Sequence, residues 1–166
     1  LRGRYWDVRR QRPLHKRARY NVVFGDETIQ PSDDFKQCTV HAFPPYLSQI
    51  RTNLPLLFGE KAKNLNAEGN HYFEEKSGIG FHGDAERRIV MCCSLGKSSI
   101  LRYAWRYPKT SEHTLPSVDL KVEHGDLYIM SEKATGYDWK QSTKLRIVHA
   151  AGSEKYINPV RRKVVL

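Results

Sequence analysis

Cysteine is scarce in this 166-residue chain, which holds three: Cys38, Cys92 and Cys93. They form no CxxC pair and no even set, which argues against a disulfide scaffold and against a thiolate zinc ribbon. Adjacent Cys92 and Cys93, in RIVMCCSLG, read as buried strand residues of a reduced, intracellular protein of the cytoplasm or nucleus. Long apolar runs are also missing, so neither a membrane span nor a secretory leader is expected, and no membrane partner. No repeat of solenoid length is visible. Acid is in deficit, with 18 Asp and Glu against 28 Lys and Arg and a formal charge of +10.

That charge is uneven. Residues 1–19, LRGRYWDVRRQRPLHKRAR, carry eight bases and one acid, and the rest of the chain only +3. A basic segment with Tyr5 and Trp6 interleaved suits a polyanion, nucleic acid above all, although a solvated tail has the same composition. The chain begins at Leu1 rather than Met and ends inside KVVL, so a fragment trimmed at both ends is expected.

What is present is a succession of short strands. RYNVVF (19–24) is rich in β-formers and stops at the turn signal GDE. Pro44 and Pro45 open a helix whose Leu47, Ile50, Leu54 and Leu57 recur three to four apart. Pro55 breaks or restarts this helix and Gly59 ends it. From residue 70 onward strands are expected at 70–73, 78–82, 88–95, 99–106, 118–123, 126–130, 145–149 and 161–166, joined by turn-rich pieces. Segment 131–144 reads as a long polar loop. Short strands without intervening helices imply a mainly β fold, a double-stranded β-helix (jelly roll) with a flanking N-terminal helix or helices. The expected organisation is a basic arm, 1–19, and a single jelly-roll domain, 20–166.

Two His-Gly-Asp triplets stand out, in GFHGDAERR (80–88) and VEHGDLYIM (122–130). A His and an acid two apart on a strand point the same way, and a second distant His would complete the two-imidazole, one-carboxylate set of a mononuclear iron(II) oxygenase. His149 is 67 residues from His82 but only 25 from His124. His82 ends the apolar strand GIGFH and Asp84 begins its exit turn, whereas His124 and Asp126 sit where a hairpin turn belongs. Position favours His82, Asp84 and His149 as ligands and leaves the second triplet as a turn.

The order of motifs adds to this. Asn70-His71-Tyr72, then His82-Gly83-Asp84, Ser94-Leu95-Gly96, Gly125-Asp126, His149 and the basic pair Arg161 and Arg162 resemble the AlkB-like iron(II)/2-oxoglutarate dioxygenases over residues 64–162. The resemblance implies that His82, Asp84 and His149 hold Fe(II). It implies that Asn70 and Tyr72 bind the carboxylates of the 2-oxoglutarate cosubstrate, and that Arg161 or Arg162 pairs with its distal carboxylate. Two departures are plain. The last strand reads RRKVVL in place of the family's R-x-N-x-T-x-R, and a long polar, aromatic segment precedes the distal His.

The chemistry so implied consumes O2 and 2-oxoglutarate, releases succinate and CO2, and hydroxylates a nearby C–H; a hydroxylated N-methyl group loses formaldehyde. In LRYAWRY, Tyr103 and Trp105 alternate with Arg102 and Arg106, a pattern that suits a stacked base and its phosphates. The same pattern also fits a core face with solvent-facing arginines. Tyr137 and Trp139 are candidates for the substrate mouth, and His71, His15, His41 and His113 have no expected role in the site. The leading expectation is demethylation or hydroxylation of alkylated nucleic acid, with the 1–19 arm gripping phosphate. The rivals are the same chemistry on a protein or peptide side chain, and a non-catalytic jelly-roll module that binds nucleic acid. Oligomeric state is left open.

Overall fold

The computed structural model describes residues 4–7, 11–15, 19–31, 39–109 and 113–158. The chain is mainly β, with few helices, and all of its strand ladders except one are antiparallel among the described residues. It divides into two compact units, Leu1–Phe73 and Glu74–Leu166.

The first unit begins with a hairpin of β1 (Arg4–Asp7) and β2 (Arg12–His15), which falls inside the basic segment. A three-stranded sheet follows, with β3 (Tyr20–Gly25) between β4 (Val40–Ala42), its parallel neighbour, and the antiparallel β5 (Ala67–His71). Helix α1 (Pro45–Phe58) starts at the two prolines because the first helical turn has no use for their missing N–H. Contrary to the expected break, α1 runs through Pro55. That residue forfeits one ladder bond, but it sits in the last turn and the chain needs to hold only to Phe58, where Gly59 at φ 76° ends it.

The second unit holds the rest: β6 (Gly78–His82), β7 (Val90–Cys93), β8 (Ser99–Arg106), β9 (His113–Val122), β10 (Leu127–Met130), α2 (Glu132–Thr135), β11 (Arg146–Gly152) and α3 (Glu154–Ile157). Its strands pair in a nested way. The first, β6, pairs with the last, β11; β7 pairs with β10; β8 pairs with β9 and also with β11. A four-stranded sheet in the order β6-β11-β8-β9 and a two-stranded β10-β7 sheet result. Leu101, Val122 and Met130 are buried together, with Val90, Tyr128 and Ala151 against them. One core thus takes side chains from both sheets, and each of its large members contributes roughly 1.5–3 kcal/mol by leaving water.

Cys92 and Cys93, read as buried, are not: neighbours on a strand face opposite sides, so Cys92 is partly covered and Cys93 is exposed. Several boundaries moved. β9 begins at His113, inside what reads as a loop. It tolerates Pro116 because it is the sheet edge and its register shifts there. The strand expected at 70–73 lies at 67–71, so Tyr72 falls past its end. Segment 131–144 is not all loop: the Ser131 side chain caps α2 by accepting from the Ala134 N–H, and Gly136 closes it at φ 71°. The strand expected at 161–166 lies outside the described residues.

Candidate metal centre

His82 and His149 are direct partners across the β6–β11 ladder, although 67 residues separate them. Pairing the first strand with the last is what joins them, and their rings stand 4.5 Å apart, centroid to centroid. Asp84 leaves the end of β6 and turns back to both. Its Oδ1 lies 4.0 Å from His82 Nε2 and its Oδ2 lies 3.8 Å from His149 Nε2. One donor atom from each of the three residues falls within 4.8 Å of the others. His149 is buried, Asp84 is nearly so, and His82 is partly open, so the group has one accessible side.

The surroundings prepare these side chains. His82 Nδ1 lies 2.8 Å from the Gly80 carbonyl. A carbonyl only accepts, so Nδ1 carries a proton, and Nε2 is the nitrogen left to face the other two residues. Burial first, then the neighbouring His82, depresses the pKa of His149 to about 4. The ring is therefore neutral at pH 7, the form a metal requires. Its Nδ1 is buried without a partner of regular hydrogen-bond geometry, and the backbone carbonyl of Ala134 is the acceptor that acts on the ring.

Asp84 is fixed from behind by α2. Its N–H donates to the Thr135 carbonyl at 2.8 Å. The Thr135 hydroxyl, fully buried, reaches the carbonyls of Glu132 at 2.7 Å and Arg87 at 3.0 Å. Arg87 places Nη1 3.5 Å from Asp84 Oδ2, an added hold on the carboxylate. Gly83 is required by space: a Cβ there would meet the Gly136 carbonyl at 2.4 Å and Trp139 at 2.7 Å. Trp139 thus backs the triplet from below. Its place is against the Gly83 backbone, with its own carbonyl accepting from Arg146 at 2.9 Å.

The second triplet is a turn. The Asp126 carboxylate accepts from the Glu123 N–H at 2.8 Å, Gly125 adopts φ 89°, and His124 Nδ1 accepts from the Gly96 N–H at 3.0 Å. It carries the chain from β9 in one sheet to β10 in the other, so it is a corner between sheets rather than a hairpin.

The remaining candidate residues are distributed as follows. Tyr103 is the cross-strand partner of His149, with rings 5.9 Å apart, and burial pushes its hydroxyl pKa up to about 12. With Trp105, Ala104, Val118, Ala134 and Ile147 it lines an apolar cavity of about 260 Å³. Arg102 is engaged elsewhere: its Nε and Nη2 hold the two Asp119 oxygens at 2.5 and 2.6 Å, and it also bonds Asn158. Tyr137 lies under the Arg88 guanidinium, 4.7 Å from ring centre to Cζ. Asn70 and Tyr72 belong to the first unit, where the Asn70 side chain accepts from Arg19 at 2.6 Å and Asn21 at 3.0 Å. Arg161 and Arg162 lie outside the described residues. The sequence reading missed Arg87 and Thr135. Arg87 had a signal, three residues past Asp84 in a turn; Thr135 sat inside SEKATG, a serine cap and a terminal glycine around one turn of helix.

No protein-family model matches this chain. It is similar to an uncharacterized protein of Acanthamoeba polyphaga mimivirus, 37% identical over 163 residues, an alignment covering 95% of the chain. The chain spans 63% of that relative's length. Among the described residues no helix is long and apolar enough to cross a membrane.

Proposed function

We propose that the chain is an iron(II)/2-oxoglutarate-dependent dioxygenase of the AlkB-like kind that hydroxylates or demethylates alkylated nucleic acid. The observation that carries this reading is the convergence of His82, Asp84 and His149 within 4.8 Å. Two imidazoles and one carboxylate on one side of a point are the donor set of non-haem iron(II) oxygenases, and thiolates, which structural zinc sites favour, are absent from the group. The nested pairing of β6 to β11 supports a jelly roll, since such a roll is a long antiparallel hairpin wrapped into two sheets.

Held by these residues, iron(II) with 2-oxoglutarate as co-reductant would let O2 serve as the oxidant of an unreactive C–H. The chain's own residues supply the rest. The Gly80 carbonyl takes Nδ1 of His82 and so turns its Nε2 toward the group, and burial keeps His149 neutral, so that ring presents a lone pair without first losing a proton. Thr135 and Arg87 hold Asp84 in place toward the two imidazoles. The apolar cavity lined by Tyr103, the cross-strand partner of His149, leaves room for a small alkyl or flat group. Asn70, Tyr72 and one of Arg161 and Arg162 are the proposed cosubstrate contacts, on the motif resemblance.

Succinate release in the presence of iron(II), 2-oxoglutarate and a panel of methylated oligonucleotides and peptides tests the reading. Release is expected with the oligonucleotides and abolished by His82→Ala and by Asp84→Ala. Turnover that survives both substitutions sinks the assignment of the site. Turnover with peptides alone moves the substrate to protein, and absence of turnover with intact metal binding leaves a non-catalytic module.

A further inference from the structure

One end of the four-stranded sheet concentrates positive charge. β8 ends at Arg106 and β11 begins at Arg146, and these two are direct partners across the ladder. Like charges placed opposite each other cost stability, and these are not fully exposed. Arg146 is buried, with Nη1 donating to the Trp139 carbonyl at 2.9 Å and Nη2 to the Tyr107 carbonyl at 3.0 Å. Arg106 is half-buried, and its Nε is buried with no hydrogen-bond partner. Burial, then Arg146, lowers its pKa.

The two strand ends join loops that add to the charge. Residues 106–109 and 139–146 together hold Arg106, Lys109, Lys140, Lys144 and Arg146 and no acid. The loops are tied together, with the Lys109 N–H donating to the Ser142 carbonyl at 2.5 Å. Asp138, just before the second loop, offers no compensation at the surface, being 1% exposed and bound to Lys133 at 2.6 Å. Lys109, Lys140 and Lys144 are exposed. Aromatics alternate with the bases: Tyr107 is 45% exposed, and the Lys140 ammonium sits 5.6 Å from the Trp139 ring. Arg146 is three residues from His149 on a straight strand, about 10 Å.

We propose that this sheet end is a phosphate-binding surface that takes a single nucleic-acid strand within reach of the triad. Spaced bases around the exposed Tyr107 ring and the partly buried Trp139 fit a chain that alternates phosphates and flat bases better than they fit an acidic peptide. The proposal deepens the nucleic-acid reading given above and rests on it for the identity of the polyanion. The surface itself requires no metal.

Binding of labelled single-stranded DNA and RNA oligonucleotides, and of a polyglutamate peptide of equal charge, is measured by fluorescence anisotropy. The full chain is used without metal, across a series of salt concentrations. The logarithm of affinity is expected to fall linearly with that of salt. The double substitution Lys140→Ala, Lys144→Ala should weaken binding several-fold and reduce that slope by about 1.4, two contacts at about 0.7 each on a single strand. Its melting temperature should match the parent's, because both lysines are exposed. An unchanged slope, no oligonucleotide binding by the parent, or equal affinity for polyglutamate overturns the proposal. So does a result in which deleting residues 1–19 abolishes binding while the lysine substitutions do nothing. Succinate release is read separately, so the surface can fail while the dioxygenase reading stands, and the reverse.

Discussion

Replacing Gly83 by alanine is a test of why the first triplet is His-Gly-Asp. The new Cβ would lie 2.4 Å from the Gly136 carbonyl and 2.7 Å from both Cβ and Cγ of Trp139. These neighbours cannot swing aside. Gly136 has its own backbone against the Ile147 carbonyl, and the Trp139 carbonyl is held by Arg146. The segment 83–84 must move instead, at about 1–3 kcal/mol for overpacking. That movement pulls the Asp84 N–H off the Thr135 carbonyl, so metal affinity should fall by tenfold or more. Gly125→Ala in the second triplet is the internal control. Nothing lies within 4 Å of its Cβ, and φ 89° alone disfavours alanine, for about 1 kcal/mol and no change in metal binding. Urea denaturation gives the stabilities, and calorimetric titration with Mn(II) or Co(II), in place of oxygen-sensitive iron(II), gives the affinities. If Gly83→Ala binds metal like the parent while Gly125→Ala does not, the two triplets have been assigned the wrong way round.

Thr135→Val keeps the shape of a fully buried side chain and removes its hydroxyl, leaving the Arg87 carbonyl short of a donor. A loss of about 1–2 kcal/mol in urea denaturation is expected, with weaker metal binding because the same turn holds Asp84. Arg102→Ala tests the pair with Asp119, whose pKa the Arg102 hydrogen bond holds below 3.8. A depressed folded pKa makes the pair stabilising above the unfolded value and neutral once pH falls through the folded one. The difference between parent and Arg102→Ala should therefore be about 1 kcal/mol at pH 7, modest because the pair is partly exposed. It should shrink below pH 4. A difference that grows on acidification contradicts the assigned pairing.

Local chemistry was legible in the residues themselves. Prolines 44 and 45 opened α1 and Gly59 closed it; GIGFH and SILRYAWR became β6 and β8 with the expected bounds. The turn at Gly125-Asp126 was readable because an Asp that accepts from a backbone N–H three residues back, beside a glycine with positive φ, is a local event. Less legible were elements that depend on neighbours. Helix α2 is a single turn, too short for any periodicity, and the early start of β9 depends on its edge position rather than on its own sequence.

The site divides in the same way. The sequence by itself pointed to the candidate donor set, since His82 and Asp84 stand two apart at one strand end and a second imidazole was available downstream. Only the tertiary structure decided that His149 stands opposite His82, because the pairing of first strand with last is a non-local choice made by the common core of the two sheets. It also decided which aromatic and basic residues are spoken for. Trp139 went to the back of Gly83, Arg102 to Asp119 and Tyr103 to the flank of His149. Strand alternation gives each of these a face, but which partner occupies that face is set by packing between chain segments far apart in sequence.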